Sequence, residues 1–374
     1  MTSSSCCVLM MVKNEEESIK LTIDSTQKYF KYILVFDTGS TDKTVDIIKK
    51  ACEKNNQILH LKQGIFKSFP ESRNEALGFA NTFPYKNILM MDAGDEFQTK
   101  MSVKEFNKFI ESIPNHVDIG IIKQKWLEKK DASLSDHFDC RFLKNHRNIN
   151  YDLTFPVHEQ VSNADTLSSS NFGDAFWLYQ DRMKFGGSSE KRYARDIEML
   201  SKAKPNKRNL YFLAQSYMSI NDFKNGFKYN VLSYEHPDKF FDETFTLVRI
   251  AFCAIQIKWF DIAIKYLEIL LKRNEVPIDA YIYYFDIHIK LNKIEKAVPY
   301  IKLLYNLEKP SVTSSIKLTN HYFFDYLRFN LISIACLLAN KELEIGKAAC
   351  LKALPYHKPD DLHNIKIYEN FVLK

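Results

Sequence analysis

With 374 residues, the chain is too long for one ordinary hydrophobic core, and two domains are expected. Hydrophobic residues make up 45% and charged residues 26%, a balance that fits a globular protein and excludes a disordered or fibrous one. The 52 basic and 46 acidic residues leave a net charge of +6 without a dense Lys/Arg block, so nucleic-acid binding is not expected.

Residues 1–12 lack a basic leader, and no stretch approaches the ~18 apolar residues that would span a bilayer. The seven cysteines (Cys6, Cys7, Cys52, Cys140, Cys253, Cys336, Cys350) are scattered, without a CxxC pair. They read as reduced thiols of a cytoplasmic protein, with neither a disulfide frame nor a zinc site. His137, Cys140, His146 and His158 match no usual zinc spacing.

The first ~100 residues alternate strand and helix signals, the mark of βαβ units. Cys6 to Val12 is a continuous apolar run suited to a buried parallel strand. Asn14 is expected to cap a helix with Glu15, Glu16 and Glu17 in its first turn and Ile19, Ile23 and Phe30 on its apolar face. Tyr32 to Phe36 forms a second strand ending at Asp37, and Thr38-Gly39-Ser40-Thr41 turns into a helix carrying Val45, Ile48 and Cys52. A short strand at Ile58 to Leu61 follows, then a helix opened by Pro70 that buries Ala76, Leu77 and Ala80. Asn87 to Met91 is the fourth strand and delivers Asp92-Ala93-Gly94-Asp95-Glu96.

From about residue 100 to 190 the pattern is irregular. Strands are expected at Ile119 to Ile122 and Phe155 to Val161, a Ser/Asn-rich stretch at Asp165 to Gly173, and a linker at Gly186-Gly187-Ser188-Ser189. Beyond residue 190 strand signals vanish and amphipathic helices run on. Residues spaced twelve apart suggest a weak internal repeat: Ala214 with Gly226, Ala251 with Ala263, and less well Phe285 with Ala297 and Cys336 with Ala348. Tyr211, Phe212, Tyr217, Trp259, Phe260, Tyr266, Tyr283 and Tyr284 accompany them. Such pairs let antiparallel helices approach closely and stack; a generic bundle with a Tyr/Phe-rich core is the other reading.

Parallel strands place the loops after strands one, two and four on one edge of the sheet, the edge where open α/β folds bind ligands. Asn14 and Glu15, Asp37 to Asp42, and Asp92 with Asp95 and Glu96 therefore converge. Carboxylates after strand two suit a base or ribose, and those after strand four suit a divalent metal on a diphosphate. Neither a P-loop nor a dinucleotide glycine fingerprint is present, which argues against an ATPase and a dehydrogenase.

Met11-Val12-Lys13-Asn14-Glu15-Glu16, Val35-Phe36-Asp37-Thr38-Gly39-Ser40-Thr41-Asp42-Lys43-Thr44, Ser72-Arg73-Asn74-Glu75-Ala76-Leu77 and the Asp92 turn, in this order and spacing, resemble family 2 glycosyltransferases. Arg141-Phe142, Tyr151, Val157-His158-Glu159, Lys191 and Arg195 extend the likeness to a subgroup that joins the catalytic domain to tetratricopeptide repeats. The resemblance implies an α/β domain of the GT-A fold over residues 1–190 and an all-α, tetratricopeptide-like domain over 191–374. It implies an inverting transferase that moves a sugar from a nucleotide-diphosphate donor, a UDP-sugar, to a protein, peptide or glycan, with Mn²⁺ or Mg²⁺ as cofactor.

Carried over by residue, Asp37 would hold the base, Asn14 and Glu15 would lie by base and ribose, and Arg73 would contact the nucleotide. Asp92 would bind the diphosphate through the metal. Gly94 stands where a second acid is expected, so Asp95 or Glu96 would complete the metal site, or Asp92 would serve alone. Glu159, with His158 beside it, is the candidate general base. The plainer readings are that Asp37 caps its turn through the Ser40 and Thr41 amides, that Arg73 forms an internal ion pair, that Glu96 starts a helix, and that His158 and Glu159 are a hydrogen-bonded loop pair. The repeats would position the acceptor or mediate self-association. The competing function is a non-catalytic repeat scaffold with a decayed GT-A domain. A sugar nucleotidyltransferase would want a basic Gly-rich loop where Asn14-Glu15-Glu16-Glu17 stands.

Overall fold

The computed structural model describes residues 3–127, 135–162, 164–182, 184, 190–238, 243–308, 322–356 and 358–371. The chain divides into two compact units, Met1–Ala203 and Lys204–Lys374. The expected linker at 186–189 lies outside the described residues, and the division falls after the helix Glu190–Lys202 rather than before it.

The first unit runs β1 (Ser3–Val12), α1 (Ile19–Thr26), β2 (Phe30–Asp37), α2 (Thr44–Lys54), β3 (Ile58–Gln63), α3 (Phe69–Ala80), β4 (Asn87–Met91), β5 (Asp95–Thr99), α4 (Val103–Ser112), β6 (Ile119–Leu127), β7 (Ser135–Lys144), β8 (Ser169–Asn171), β9 (Phe176–Asp181) and α5 (Glu190–Lys202). Its strands form one mixed sheet in the order β3-β2-β1-β4-β7-β6-β9-β5, with β8 beside β6. β1, β2, β3 and β4 are parallel; β7 then pairs antiparallel with both β4 and β6. This is the GT-A arrangement. β1 and β4 are buried on both faces, as central parallel strands must be.

The apolar cores lie on the two sides of the sheet. One gathers Met10, Ile23, Val35, Phe97, Phe106 and Phe176 under α1, α2 and α4; the other gathers Leu9, Phe36, Ala76, Met90 and Tyr151 under α3. Five of the six expected strands occur at their places, β4 with the expected bounds, and the strand expected at Ile119 to Ile122 opens β6. Four details differ. Phe30, expected on the face of the first helix, instead opens β2. Asn14 is no helix cap: it adopts φ 56°, a turn intervenes, and α1 begins at Ile19. Glu96 lies in strand β5, not at a helix start. The stretch from Phe155 to Val161 forms no strand, and its one ladder contact is an isolated bridge between Tyr151 and Val161.

One irregularity in the sheet serves the site. The β6–β7 ladder slips between Gly120 and Ile121, which pair with Phe142 and Cys140 and leave Arg141 unpaired between them. Such a bulge re-aims the extra side chain, here toward the end of β4.

The second unit is all-helical among its described residues: α6 (Lys207–Ser219), α7 (Phe223–Glu235), α8 (Glu243–Gln256), α9 (Phe260–Leu271), α10 (Ile278–Lys290), α11 (Ile301–Asn306), α12 (Arg328–Ala339), α13 (Leu343–Ala353) and α14 (Pro359–Phe371). Ala214, Ala251, Ala263, Phe285 and Ala297 are fully buried. A Cβ on Gly226 would come within 2.8 Å of Met218 and 3.2 Å of Cys253, which shows how close α7 lies to its neighbours. At Cys336 the close partner is Gly346 rather than Ala348: a Cβ on Gly346 would fall 2.5 Å from the Cys336 Cβ. No helix among the described residues is long and apolar enough to cross a membrane.

Gly120 tests the seam that carries Arg141. A Cβ there would lie 2.4 Å from the Phe172 ring and 2.8 Å from the Phe142 Cβ. Overpacking of this kind makes Gly120→Ala destabilising by about 1–3 kcal/mol, readable as a lower urea midpoint.

Candidate active site

The loops after β1 and β2 are held together by side-chain-to-backbone bonds. The Asn14 amide donates to Ser40 Oγ at 3.0 Å, and the Thr41 amide donates to Asn14 Oδ1 at 2.7 Å. The Glu15 amide donates to Thr44 Oγ1 at 2.7 Å. The left-handed turn at Asn14 aims its amide group across the gap, which the motif order alone does not convey.

Asp37 lies beneath this junction with no exposure. Its Oδ1 accepts the Ser40 amide at 3.0 Å, and Gln63 Nε2 donates to its Oδ2 at 3.5 Å. In this geometry Asp37 shapes the turn, and its neighbour Thr38, rather than Asp37 itself, reaches the cavity beyond.

The centre of the site is Asp92. Arg73, from the first turns of α3, places Nη2 3.2 Å from Asp92 Oδ1, and Arg141, from the bulge, places Nη1 2.8 Å from Oδ2. Each guanidinium has a further carboxylate: Glu159 Oε1 accepts from Arg73 Nε at 3.0 Å, and Asp139 Oδ2 accepts from Arg141 Nε at 2.9 Å. Both arginine side chains are only 11–12% exposed. Burial by itself raises the Asp92 pKa, but Arg141 and Arg73 override it and hold the carboxyl well below the usual carboxylate range.

The next residue of α3 fastens the loop that carries Glu159. Asn74 Nδ2 donates to the Tyr151 carbonyl at 3.0 Å, and the Tyr151 amide donates back to Asn74 Oδ1 at 2.7 Å. These bonds tie the segment leading to Phe155 to a helix side chain.

Asp95 is buried, 2% exposed. Its Oδ2 accepts the Asp92 amide at 2.9 Å, closing the turn that Gly94 enters at φ 92°. Burial first, and the charge of Asp92 second, push the Asp95 carboxyl up to about 7. Glu15 is raised as well, by burial, although Ser18 Oγ donates to its Oε2 at 2.7 Å.

A cavity of about 680 Å³ opens over this centre, within the size range of ligand pockets. Among its lining residues are Asn14, Glu15, Thr38, Phe66, Phe69, Arg73, Asp92, Asp181, Arg182, Arg192 and Arg195. Asn14, Glu15, Arg73 and Asp92 are thus brought together as expected. Asp37, Asp95, Glu96, His158 and Glu159 are not among its lining residues. His158 is exposed, at φ 53°. Arg141, Asp181, Arg182 and Arg192 were not assigned a role by sequence. Arg141 enters the family likeness only as a neighbour of Phe142, and nothing in the spacing of the others signals that β9 and α5 return to this edge.

The metal expected on Asp92, Asp95 and Glu96 does not fit this donor set. Both Asp92 oxygens face guanidinium groups, an Asp95 oxygen holds the turn, and Glu96 sits in β5 outside the lining. Among the described residues no three His, Cys, Asp or Glu side chains are grouped to hold a metal ion.

Residues 7–168 match the family model described as glycosyl transferase family 2. The chain carries a family 2 glycosyltransferase domain. A curated relative, the uncharacterized glycosyltransferase MJ1057 of Methanocaldococcus jannaschii, is 32% identical over 120 residues, 31% of this chain and 39% of that protein. The chain therefore spans about two fifths of the length of the curated relative it matches. Among solved structures, S. aureus TarS is 13% identical, with 95% of this chain and 55% of TarS covered and a TM-score of 0.37. TarS 1–349 in complex with UDP-GlcNAc is 15% identical, covering 95% and 92%, also at 0.37. Every motif residue at the Asp92 centre, from Arg73 to Glu159, falls inside the family 2 match.

Asp95 gives the family 2 domain a pH signature. Its folded pKa lies above the unfolded value near ~4, so the folded state holds an extra proton between roughly pH 4 and 7. Stability contributed by the protonated carboxyl is full at the acid end and lost as the pH rises through about 7. Asp95→Asn keeps an acceptor for the Asp92 amide and removes the titration. Relative to the native chain it is expected to be more stable at pH 7.5 than at pH 5.5, as read from paired urea midpoints.

Proposed function

We propose that this protein transfers a sugar from a nucleotide-diphosphate donor, a UDP-sugar, to a protein, peptide or glycan acceptor with inversion at the anomeric carbon. The observation that carries this reading is a single cavity at the carboxyl edge of the parallel strands, lined together by Asn14, Glu15, Thr38, Arg73 and Asp92. The Asn14–Glu15 loop takes the base and ribose, and Phe66 and Phe69, whose ring centroids are 5.1 Å apart, offer an apolar wall. Arg73 and Asp92 mark the phosphate end. UDP-GlcNAc, present in a TarS complex, is the first donor to try.

In the transfer, the acceptor nucleophile attacks the anomeric carbon as the bond to the diphosphate oxygen breaks, and the electron pair leaves with the diphosphate. A base must take the acceptor proton. Glu159, the base expected from sequence, is paired to Arg73 and does not line the cavity. We assign the base to Asp181 instead, the cavity carboxylate at the end of β9. Glu159 then positions Arg73.

The helical unit is read as tetratricopeptide-like. Ala214 with Gly226 and Ala251 with Ala263 place small buried residues in the successive helices α6 to α9, which suits stacked helix pairs. Its role would be to present a protein or peptide acceptor or to bind a second copy, in a cytoplasmic setting consistent with seven free cysteines.

The scaffold reading is separated from this one by thermal shift with a panel of nucleotide sugars. A donor at about 100 times its dissociation constant adds about 2.7 kcal/mol of stability, and no shift with any donor favours the scaffold. Asp181→Asn is expected to lower kcat at least about 100-fold in a donor-hydrolysis or transfer assay while leaving UDP affinity unchanged. An unchanged kcat moves the base elsewhere.

A further inference from the structure

The lining of the cavity carries more cations than acids. Lys13, Arg73, Arg182, Arg192 and Arg195 line the cavity against three acids, Glu15, Asp92 and Asp181. The charge of Asp92 is opposed by Arg73 and, from outside the lining, by Arg141. The cavity thus suits an anion before any metal enters it.

Two of these guanidinium groups are held in place by their own surroundings. Arg182 donates through Nε to Gln180 Oε1 at 3.0 Å, and its Cζ lies 3.4 Å from the centroid of the Trp126 ring. Trp126 in turn stacks on His137 with centroids 3.8 Å apart. Arg195 sits over the Phe69 ring at 4.7 Å and pairs with Asp196 Oδ1 at 3.2 Å. A stacked, planar fork loses little freedom when it binds phosphate and matches two phosphate oxygens at once, which a lysine does not.

We infer that the diphosphate of the donor is neutralised by Arg182 and Arg195, with Arg192 beside them, in place of a divalent cation. The inference rests on the donor reading above. It follows from two independent features: Asp92 and Asp95 are committed to other groups while Glu96 lies outside the lining, and the arginines line the cavity those acids were to serve. The chemistry needs no further reactant. As the bond between the anomeric carbon and the diphosphate oxygen breaks, the electron pair and negative charge pass to the diphosphate, and preset cations stabilise that charge without reorganising.

The test is calorimetric titration of the full chain with UDP and with GDP, once in excess EDTA and once with Mn²⁺. The expected result is a dissociation constant for UDP or GDP that changes less than about threefold between the two conditions, and a loss of about tenfold or more in Arg182→Ala and in Arg195→Ala, the size of a charge-assisted hydrogen bond. Arg195 is half-exposed, so Arg195→Ala should keep its melting temperature, and Arg195→Lys should recover part of the affinity. Binding that requires Mn²⁺ and ignores both arginine variants overturns the inference and leaves the donor reading standing. No binding of either diphosphate in either condition overturns both.

Discussion

The first unit is organised around one partly buried electrostatic arrangement, a carboxylate held between two guanidiniums. Asp92 lies at the end of a central parallel strand, Arg73 comes from a helix on one side, and Arg141 comes from an antiparallel strand on the other. Removing any one would leave a poorly hydrated charge without its partner, which is costlier than never burying the pair. The network therefore constrains the backbone around it. It needs the bulge at Arg141, the Asn74 grip on Tyr151 and the Gly94 turn to be where they are.

The same arrangement explains why the sheet changes direction at β4. A wholly parallel sheet would present only loops at its carboxyl edge. The antiparallel β7 instead runs its body past the end of β4, with Leu89 opposite Phe142, so that Arg141 stands beside the residues leading to Asp92. β9 then brings Gln180, Asp181 and Arg182 to the same edge from the far side of β6. The parallel half supplies the Asn14, Thr38 and Asp92 loops of the cavity, and the later strands add Arg141 beside Asp92 and Asp181 and Arg182 to the lining.

What the sequence makes legible follows from this division. The parallel half is written in local signals: apolar runs for β1 and β4, a turn after Asp37, and Pro70 near the start of α3. Its loops converge because strand direction alone forces them to, so Asn14, Glu15 and Asp92 can be gathered from strand order, while Arg73, on α3, is reached only through the family resemblance of its motif. The antiparallel half depends on pairings between distant segments. β5 and β9 join residues about eighty apart, from Asp95 with Gln180 to Thr99 with Phe176, and no local pattern announces that meeting. Arg182 and Asp181 are unreadable for that reason, and Glu96, which reads as a helix start, lies in β5, a strand that no local pattern marks. Asp37 and Glu159 were placed in the right neighbourhood, but residue type does not say which way a carboxylate faces. One turned into its own loop and the other to Arg73.

The glycine at position 94 gathers these points. A second acid two residues after Asp92 would stand beside it at the strand end. With Gly94 there in a left-handed turn, the chain reverses at once: the Gly94 amide donates to Thr22 Oγ1 at 2.8 Å, and the Asp95 amide returns to the Asp92 carbonyl at 3.1 Å. Asp95 is thereby carried inward to begin β5, where burial and the neighbouring Asp92 disfavour its charge. Of the acids in this turn only Asp92 is left lining the cavity, and it is already matched by arginine on both oxygens. A turn with a single, fully opposed acid loses its appeal for a dication. The extra residue in the acidic turn and the arginines of β9 and α5 are on this view two halves of one exchange, in which the positive charge that a diphosphate requires comes from side chains of the chain itself.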